Sequence, residues 1–167
     1  MQCILTPNKK APYNLRLIVP AYGSATIPDM SQDEWIARTI SRNIDVGVLS
    51  VDSEYWVVEE EDLPGGSLED ADSYFFDCWE WHDGITVNMA KARTVHLAAI
   101  RRARDNELAA MDIAWMKAAE SGDTNAQTKI AAEKQILRDL PQTFDLTART
   151  PEQLRARWPK ELPRRTA

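Results

Sequence analysis

Glycine, cysteine and histidine are all scarce in this sequence. Its 167 residues include six glycines, two cysteines and two histidines. So few glycines leave little material for a nucleotide-binding loop, and Gly65-Gly66 is followed by neither a lysine nor a helix signal. Cys3 and Cys78 form no metal or redox motif, so we expect both to be reduced and buried.

Catalytic chemistry is also hard to assemble from these residues. A nucleophilic enzyme needs its nucleophile beside a base, with a third group that orients the base. Neither His82 nor His96 stands in such a pattern, and His96 falls within a predicted helix as a packing or surface residue. A polar cluster around Cys78 lacks the spacing of zinc sites, its members being Asp77, Glu80, His82 and Asp83. We therefore predict no catalytic residue, no cofactor and no metal site.

Long hydrophobic runs are missing as well. No stretch approaches the roughly 20 apolar residues that a membrane span needs. The first ten residues contain no apolar run of signal-peptide length. The sequence therefore predicts a protein that is made in the cytoplasm and has no membrane partner.

Positive charge is sparse in the first half of the chain. Residues 1–88 carry five basic and sixteen acidic side chains, a net charge of −11, whereas residues 89–167 carry fifteen basic and ten acidic ones, a net charge of +5. The two halves could attract each other within a chain or between copies, or both could be solvated surfaces. The basic excess is modest, is interspersed with acids and comes with no recognised motif, so we expect no nucleic acid partner.

Tryptophan, in contrast, is abundant, with six residues in the chain. Apolar residues make up 44% of the sequence, which is enough to bury a core. Tryptophan occurs both in cores and at protein interfaces. We expect most of the six to be packing residues, and the overall pattern predicts an α+β fold.

Residues 1–62 are predicted to form a small, strand-rich α+β unit with one short helix. Ser31 and Glu34 have the spacing of a capping box, which predicts a helix from about Gln32 to Arg42. Its buried side would carry Trp35, Ile36 and Ile40. Three other segments are β-prone, with apolar and β-branched residues, namely 14–19, 44–51 and 55–58.

Residues 63–74 are predicted to link this unit to a second one that spans residues 75–167. The linker is acidic and contains the turn signal Leu63-Pro-Gly-Gly66. The second unit begins with a predicted β-hairpin, because Asp83-Gly84 separates two β-prone runs. Trp79 and Trp81 fall on one face of its first strand, and we expect them to pack on the helix that follows.

A long antiparallel helical hairpin is predicted for most of the second unit. The apolar pattern is helical from Met89 to about Ser121 and again from Thr124 to about Asp139, where Pro141 stops it. Gly122-Asp123 divides the two helices, since glycine can end one helix and aspartate can cap the next. Thr150-Pro151 then predicts a short C-terminal helix.

The tip of this hairpin is the candidate protein-interaction site. Its first helix carries apolar side chains outside the main apolar stripe, which widens its apolar surface. We hypothesise that this surface mediates self-association or partner binding, although it could instead fold back on the N-terminal unit. The interface residues in this hypothesis are Ile100, Met111, Ile113, Trp115 and Met116.

Several stretches between about residues 75 and 160 resemble small proteins encoded in the tail-gene clusters of tailed bacteriophages. They are Trp79-Glu-Trp81, Val87–His96, Ile100–Arg104, Leu108–Ile113, Ala119–Asp123 and Lys134–Asp139. The ending is similar to that of phage tail-fibre assembly proteins, through Leu137-Arg-Asp-Leu-Pro-Gln142 and then Trp158-Pro159. The first 62 residues carry no such resemblance.

The resemblance implies a protein without catalytic residues that acts by binding other phage proteins. It would be a virion component near the tail fibres or baseplate, or an assembly factor for them. Its expected partners are tail, fibre or baseplate proteins, together with further copies of itself as a homo-oligomer made in the host cytoplasm. The alternative is a phage regulatory or anti-defence protein, whose acidic first half could imitate nucleic acid in the host cytoplasm.

Overall fold

A computed structural model describes residues 1–8, 15–22, 30–68 and 74–163 of the chain. The protein divides into two compact units, Met1–Asn88 and Met89–Ala167. The first unit is built mainly of antiparallel strands and the second of helices, so the predicted α+β fold is confirmed.

A three-stranded antiparallel sheet forms the centre of the first unit. Its strands are β1 (Gln2–Pro7), β2 (Leu15–Ile18) and β3 (Trp56–Glu59), in the order β2-β1-β3. Side chains alternate between the two faces of a strand. Both faces of β1 are covered, because Cys3, Ile4 and Leu5 are all fully buried. The central strand therefore anchors the core on both sides.

The helix of the first unit, α1 (Gln32–Asp45), begins as its sequence predicts. The Ser31 side chain accepts a hydrogen bond from the Glu34 amide, and the Glu34 carboxylate accepts one from the Ser31 amide. This capping box satisfies amides that have no partner within the helix. Trp35 and Ile36 are buried, as predicted, and Ile40 is half-buried.

The strand expected at residues 44–51 does not form. Residue 44 lies in the last turn of α1, and the chain then continues as a loop over residues 46–55. Gly47 adopts a φ of +73°, and the Val48 and Leu49 amides both donate to the Asn43 carbonyl oxygen. The β-branched composition favoured a strand, but these local hydrogen bonds turn the chain at the end of the helix.

The predicted β-hairpin is present as β4 (Trp79–Trp81) and β5 (Ile85–Val87). Asp83 and Gly84 both have positive φ values, of 53° and 140°, as the turn requires. Trp79 is fully buried in one cluster with Cys3 and Leu5 of β1.

The position of this hairpin differs from the sequence interpretation. Trp81 stacks on Trp56 of β3, with ring centroids 4.5 Å apart, and both rings pack against the core cluster that contains Trp79. The two tryptophans of the hairpin thus belong to the core of the first unit, whereas the sequence interpretation assigned residues 75–167 to the second unit. Their expected packing on the helix that follows stays a prediction. The division between the units consequently falls after Asn88 and not within the predicted linker at 63–74.

The second unit contains the predicted helical hairpin, formed by α2 (Met89–Glu120) and α3 (Thr124–Thr143). Gly122 lies between them with a φ of +71°, and the Asp123 side chain accepts a hydrogen bond from the Ala126 amide. Glycine thus ends one helix and aspartate caps the next, as predicted. With 32 residues, α2 is about 48 Å long at about 1.5 Å per residue.

Pro141 lies inside the last turn of α3 and does not stop it. Proline has no backbone N–H, so the helix loses only the hydrogen bond that residue 141 would donate to residue 137, while later amides can still donate. The last one observed runs from the Phe144 amide to the Leu140 carbonyl oxygen. The helix therefore continues to Thr143, beyond the predicted end at Asp139.

The C-terminal segment contains the short helix α4 (Pro151–Ala156). Thr150 caps it by accepting from the Gln153 amide, and proline occupies the first turn, as predicted. Among the described residues, none of the helices combines the length and the hydrophobicity that a membrane span requires. Residue 14 of the predicted strand and residues 69–73 of the predicted linker lie outside the described residues.

Candidate protein-interaction surface

The inner side of α2 packs on α3 and on the C-terminal segment. Ile100 of α2 is fully buried in a cluster with Leu137 and Leu140 of α3 and Leu162 near the C-terminus. The hypothesis that Ile100 contributes to an exposed interface is therefore wrong. The reason is that the C-terminal segment covers this part of α2, which a helical pattern considered by itself does not reveal.

Met111 marks the inner side in the distal half of α2, since it is half-buried against the same cluster. Nearby, the Lys134 ammonium of α3 forms an ion pair with the Asp112 carboxylate of α2. These contacts fix the orientation of α2 relative to α3. They also identify the side of α2 that faces away from its partner helix.

Ile113 and Met116 lie on that outer side of α2. Each residue of an α-helix advances by about 100°, so that Ile113 lies about 200° and Met116 about 140° around the axis from Met111. The structure agrees, because the two side chains are 53% and 52% exposed. Trp115 lies about 40° from Met111, on the flank of the hairpin, and is 39% exposed. Three of the five predicted interface residues are thus at the surface.

An outer stripe of six residues continues the surface around Ile113 and Met116. All six are exposed, and all lie within about 40° of the direction opposite Met111. The outer stripe consists of Arg102, Asn106, Ala109, Ile113, Met116 and Glu120. The sequence interpretation missed four of these residues because it considered only large apolar side chains. Their spacing of four and three residues in alternation was the signal that could have found them.

The base of the hairpin is held by hydrogen bonds to the C-terminal segment. The Arg93 guanidinium of α2 donates to the carbonyl oxygens of Leu146 and Ala148, at 3.3 and 3.0 Å. The Trp158 indole packs edge-on against His96 and donates to the Pro163 carbonyl oxygen at 3.0 Å. The Trp158-Pro159 motif therefore has a structural role in closing the segment over α2.

An acidic side chain orders the same segment from its surface. The Asp145 carboxylate accepts hydrogen bonds from the amide and hydroxyl of Thr147 and forms an ion pair with Arg157. These interactions, with the Thr147 hydrogen bonds as the largest cause, lower the pKa of Asp145 to about 2. The carboxylate is therefore ionised at every physiological pH, and its contacts help to fix the chain between α3 and α4.

The first unit has a second group of exposed apolar side chains, in the loop of residues 46–55. It comprises Val46, Val48, Val51 and Tyr55, and Val51 is 84% exposed. The loop is held in place, because Arg16 donates to the Val48 carbonyl oxygen and Thr6 donates to that of Glu54. Sequence reasoning missed this surface, since it assigned residues 44–51 to a strand.

Within the described residues, no group of three or more His, Cys, Asp or Glu side chains is arranged to hold a metal ion. In the polar cluster near Cys78, the Glu80 carboxylate instead accepts a hydrogen bond from Asn88 and pairs with His82 at 3.4 Å. Cys3 and Cys78 are both buried, as predicted, and neither is part of a disulfide bond. Burial raises the pKa of the Cys3 thiol, which keeps it protonated.

Comparison with known families agrees with the resemblance of the C-terminal half to phage tail proteins. Residues 97–162 match the model of a family described as phage tail assembly chaperone protein. The predicted similarity of this half to phage tail-associated proteins is thereby confirmed. The match includes most of α2 and all of α3 and α4, and it contains the whole outer stripe. The chain matches no curated protein and no solved structure significantly.

Proposed function

We propose that this protein takes part in building the tail of a bacteriophage, in the region of the tail fibres or baseplate, by binding other tail proteins. It acts by binding and not by catalysis, as a homo-oligomer made in the host cytoplasm and associated with the virion tail. The observation that carries this proposal is the family match over residues 97–162, whose description names tail assembly.

The exposed residues near the hairpin tip supply the binding surface in this proposal. Ile113 and Met116 lie on the regular helix α2, and about half of each side chain is exposed to solvent. When a partner covers large apolar side chains in such positions, their removal from water stabilises the complex. The ordered contacts of Arg93 and His96 with the C-terminal segment hold the base of α2 and so present this surface on a rigid support.

The experiment combines deletion of the gene with quantitative mass spectrometry of purified phage particles. We expect the deletion phage to lack functional tails and to recover them when the protein is supplied from a plasmid. Detection of the chain at a constant copy number in particles would support a structural role, whereas its absence would support an assembly factor. Normal, infectious tails in the deletion phage would contradict the proposal.

A matched pair of variants connects this phenotype to the hairpin. Met116→Glu places a charge at the exposed surface of α2, and Ile136→Glu makes the same kind of change on α3, where the side chain is 56% exposed. We expect the plasmid copy with Met116→Glu to restore fewer tails than the copy with Ile136→Glu. Equal rescue by both, at equal protein levels, would argue against binding through α2.

A further inference from the structure

The outer stripe has the spacing of a coiled-coil seam. Its residues follow one another at steps of four, three, four, three and four positions, which is the alternation that lets one helix side face a second helix continuously. The stripe runs over about 27 Å of α2. The opposite side of α2 is covered by α3, whereas all six residues of the outer stripe are exposed. This side of α2 is therefore available to another helix.

We propose that the outer stripe binds the outer stripe of a second copy of this protein, with the two α2 helices antiparallel. The dimer axis would pass at the level of Met111, where α2 crosses its counterpart. This inference rests on the proposed function, because it identifies the first partner of the same surface. The contact is isologous, so it closes at two copies and generates no filament.

Charge complementarity selects the second copy and the antiparallel direction. In this register Arg102 of one copy lies opposite Glu120 of the other, and because of the twofold symmetry this pair forms at both ends of the seam. A parallel arrangement would instead place like charges opposite each other, which is unfavourable. The stripe is thus complementary to itself in one direction only.

The four residues between these charges also fit one another across the seam. Ala109 lies opposite Ile113 of the second copy, so a small side chain receives a large one and the helices can approach closely. Asn106 lies opposite Met116, and a polar residue in a seam fixes the register at some cost in stability. The centre of the contact therefore supplies apolar burial while its ends define the alignment.

The acidic residues that border the stripe do not oppose this contact strongly. Asp105 accepts hydrogen bonds from Arg104 at 2.6 and 2.9 Å, and Asp112 is paired with Lys134. Each carboxylate therefore has a cation beside it within its own chain. Repulsion between the two copies at this edge is reduced accordingly.

Sedimentation equilibrium of the full chain tests the proposal. We expect a dimer, and we expect Ile113→Glu to raise its Kd by at least about 100-fold, since the change buries an unpaired charge in both copies. Ile136→Glu is the control for an exposed isoleucine outside the stripe, and its Kd should stay within about threefold of the original value. Circular dichroism checks that both variants keep their helices.

Charge reversal tests the register. Arg102→Glu and Glu120→Arg should each weaken the dimer by about tenfold, because each places like charges opposite one another. The double variant should recover the original Kd, and the two single variants should pair with each other when they are mixed. Arg101→Glu, one position away and off the stripe, makes the same charge change and should leave the Kd within about threefold.

Three results would overturn the dimer. One is a chain that remains monomeric at about 100 μM, where a contact with a Kd of about 1 μM would be saturated. Another is a dimer that is insensitive to Ile113→Glu, and the third is a double charge reversal that fails to restore binding. If the deletion phage still lacks tails in any of these cases, the proposed role in tail building stands, and the outer stripe then serves a different tail protein. A monomeric chain would remove the homo-oligomer from that proposal.

Discussion

The Nε2 atom of His96 lies 2.7 Å from the carbonyl oxygen of Arg157. A carbonyl oxygen can only accept, so Nε2 carries the hydrogen and donates it. The contact joins residues that are 61 positions apart and fastens the segment after α4 to the first half of α2. The imidazole is almost completely buried, and burial lowers the pKa of His96, with the hydrogen bond to the Arg157 carbonyl as a smaller, opposing cause.

Because the pKa of the buried His96 is lowered, we expect the protein to lose stability in mild acid. Because the pKa of His96 is lower in the folded protein, the unfolded chain binds more protons, and the free energy of unfolding falls as the pH decreases. The loss begins as the pH falls through about 6.5, the ordinary pKa of histidine. Thermal unfolding followed between pH 8 and pH 5 should therefore show a decreasing Tm.

The comparison of two variants isolates this effect from other titrating groups. His96→Gln removes the titrating group and should make the decrease in Tm over this range shallower, although it lowers Tm at neutral pH. His96→Asn removes the same titrating group and should show the same shallower decrease. If His96→Gln and the original protein have parallel curves, the inferred linkage is wrong.

The low pKa of Asp145 leads us to expect a second pH dependence of stability, at much lower pH. Its pKa is lowered to about 2 by hydrogen bonds from Thr147 and by Arg157, so its stabilising contribution is present above about 3.9, the ordinary pKa of aspartate. That contribution is lost as the pH falls from about 3.9 towards 2. An NMR titration of the Asp145 carboxyl carbon should have its midpoint near 2 in the folded protein.

The same assignment can be tested by removing one hydrogen-bond donor. Thr147→Ala deletes the hydroxyl that donates to Asp145 and leaves the amide in place. We expect the midpoint to rise towards the ordinary value. An unchanged midpoint in this variant would indicate that the Thr147 side chain does not hold the carboxylate.

The backbone conformation of Gly122 makes the hairpin turn sensitive to substitution at this position. Its φ of +71° is in the left-handed region, and a Cβ at this position would meet no atom within 4 Å. Gly122→Ala should therefore destabilise the second unit by about 1 kcal/mol through backbone strain alone. Gly122→Asn should cost less, because asparagine tolerates this conformation better. Urea unfolding measures both, and equal costs for the two variants would contradict this explanation.

Local signals in the sequence were sufficient to predict most of the helix boundaries. Ser31 with Glu34, Gly122 with Asp123, and Thr150 were each interpreted correctly, because capping depends on residues a few positions apart. The Asp83-Gly84 turn was predicted for the same reason. Local hydrogen bonds define these features, so a short stretch of sequence contains the information.

Contacts between distant segments account for the predictions that failed. Ile100 looked like a surface residue on the helical pattern, but Leu162 and the chain around it cover that position. Trp79 and Trp81 follow the predicted linker, yet they belong to a core that also contains residues of β1, β2 and β3. Neither set of partners could be identified from spacing along the chain.

The candidate surface was predictable in part. Ile113 was identified because it lies outside the main apolar stripe of α2, and Met116 because it lies near the hairpin tip. The structure exposes both. The exposed valines at 46, 48 and 51 were not found, because apolar β-branched residues usually indicate a strand. The hydrogen bond of Arg16 to the Val48 carbonyl oxygen, which links the loop to β2, has no sequence signature.

Two tryptophans in opposite environments give the last prediction. Trp79 is fully buried in the core of the first unit, whereas Trp115 is 39% exposed on α2. Trp79→Ala should lower the free energy of unfolding by about 3–5 kcal/mol, because it leaves a large cavity. Trp115→Ala should lower it much less.

A third variant, Trp79→Phe, separates packing from hydrogen bonding. Within the described residues the Trp79 Nε1 atom has no hydrogen-bond partner, so this change reduces the packed volume without breaking a hydrogen bond. It should retain more stability than Trp79→Ala. Guanidinium unfolding followed by circular dichroism measures all three variants. Equal losses for Trp79→Ala and Trp115→Ala would show that Trp79 does not hold the first unit together.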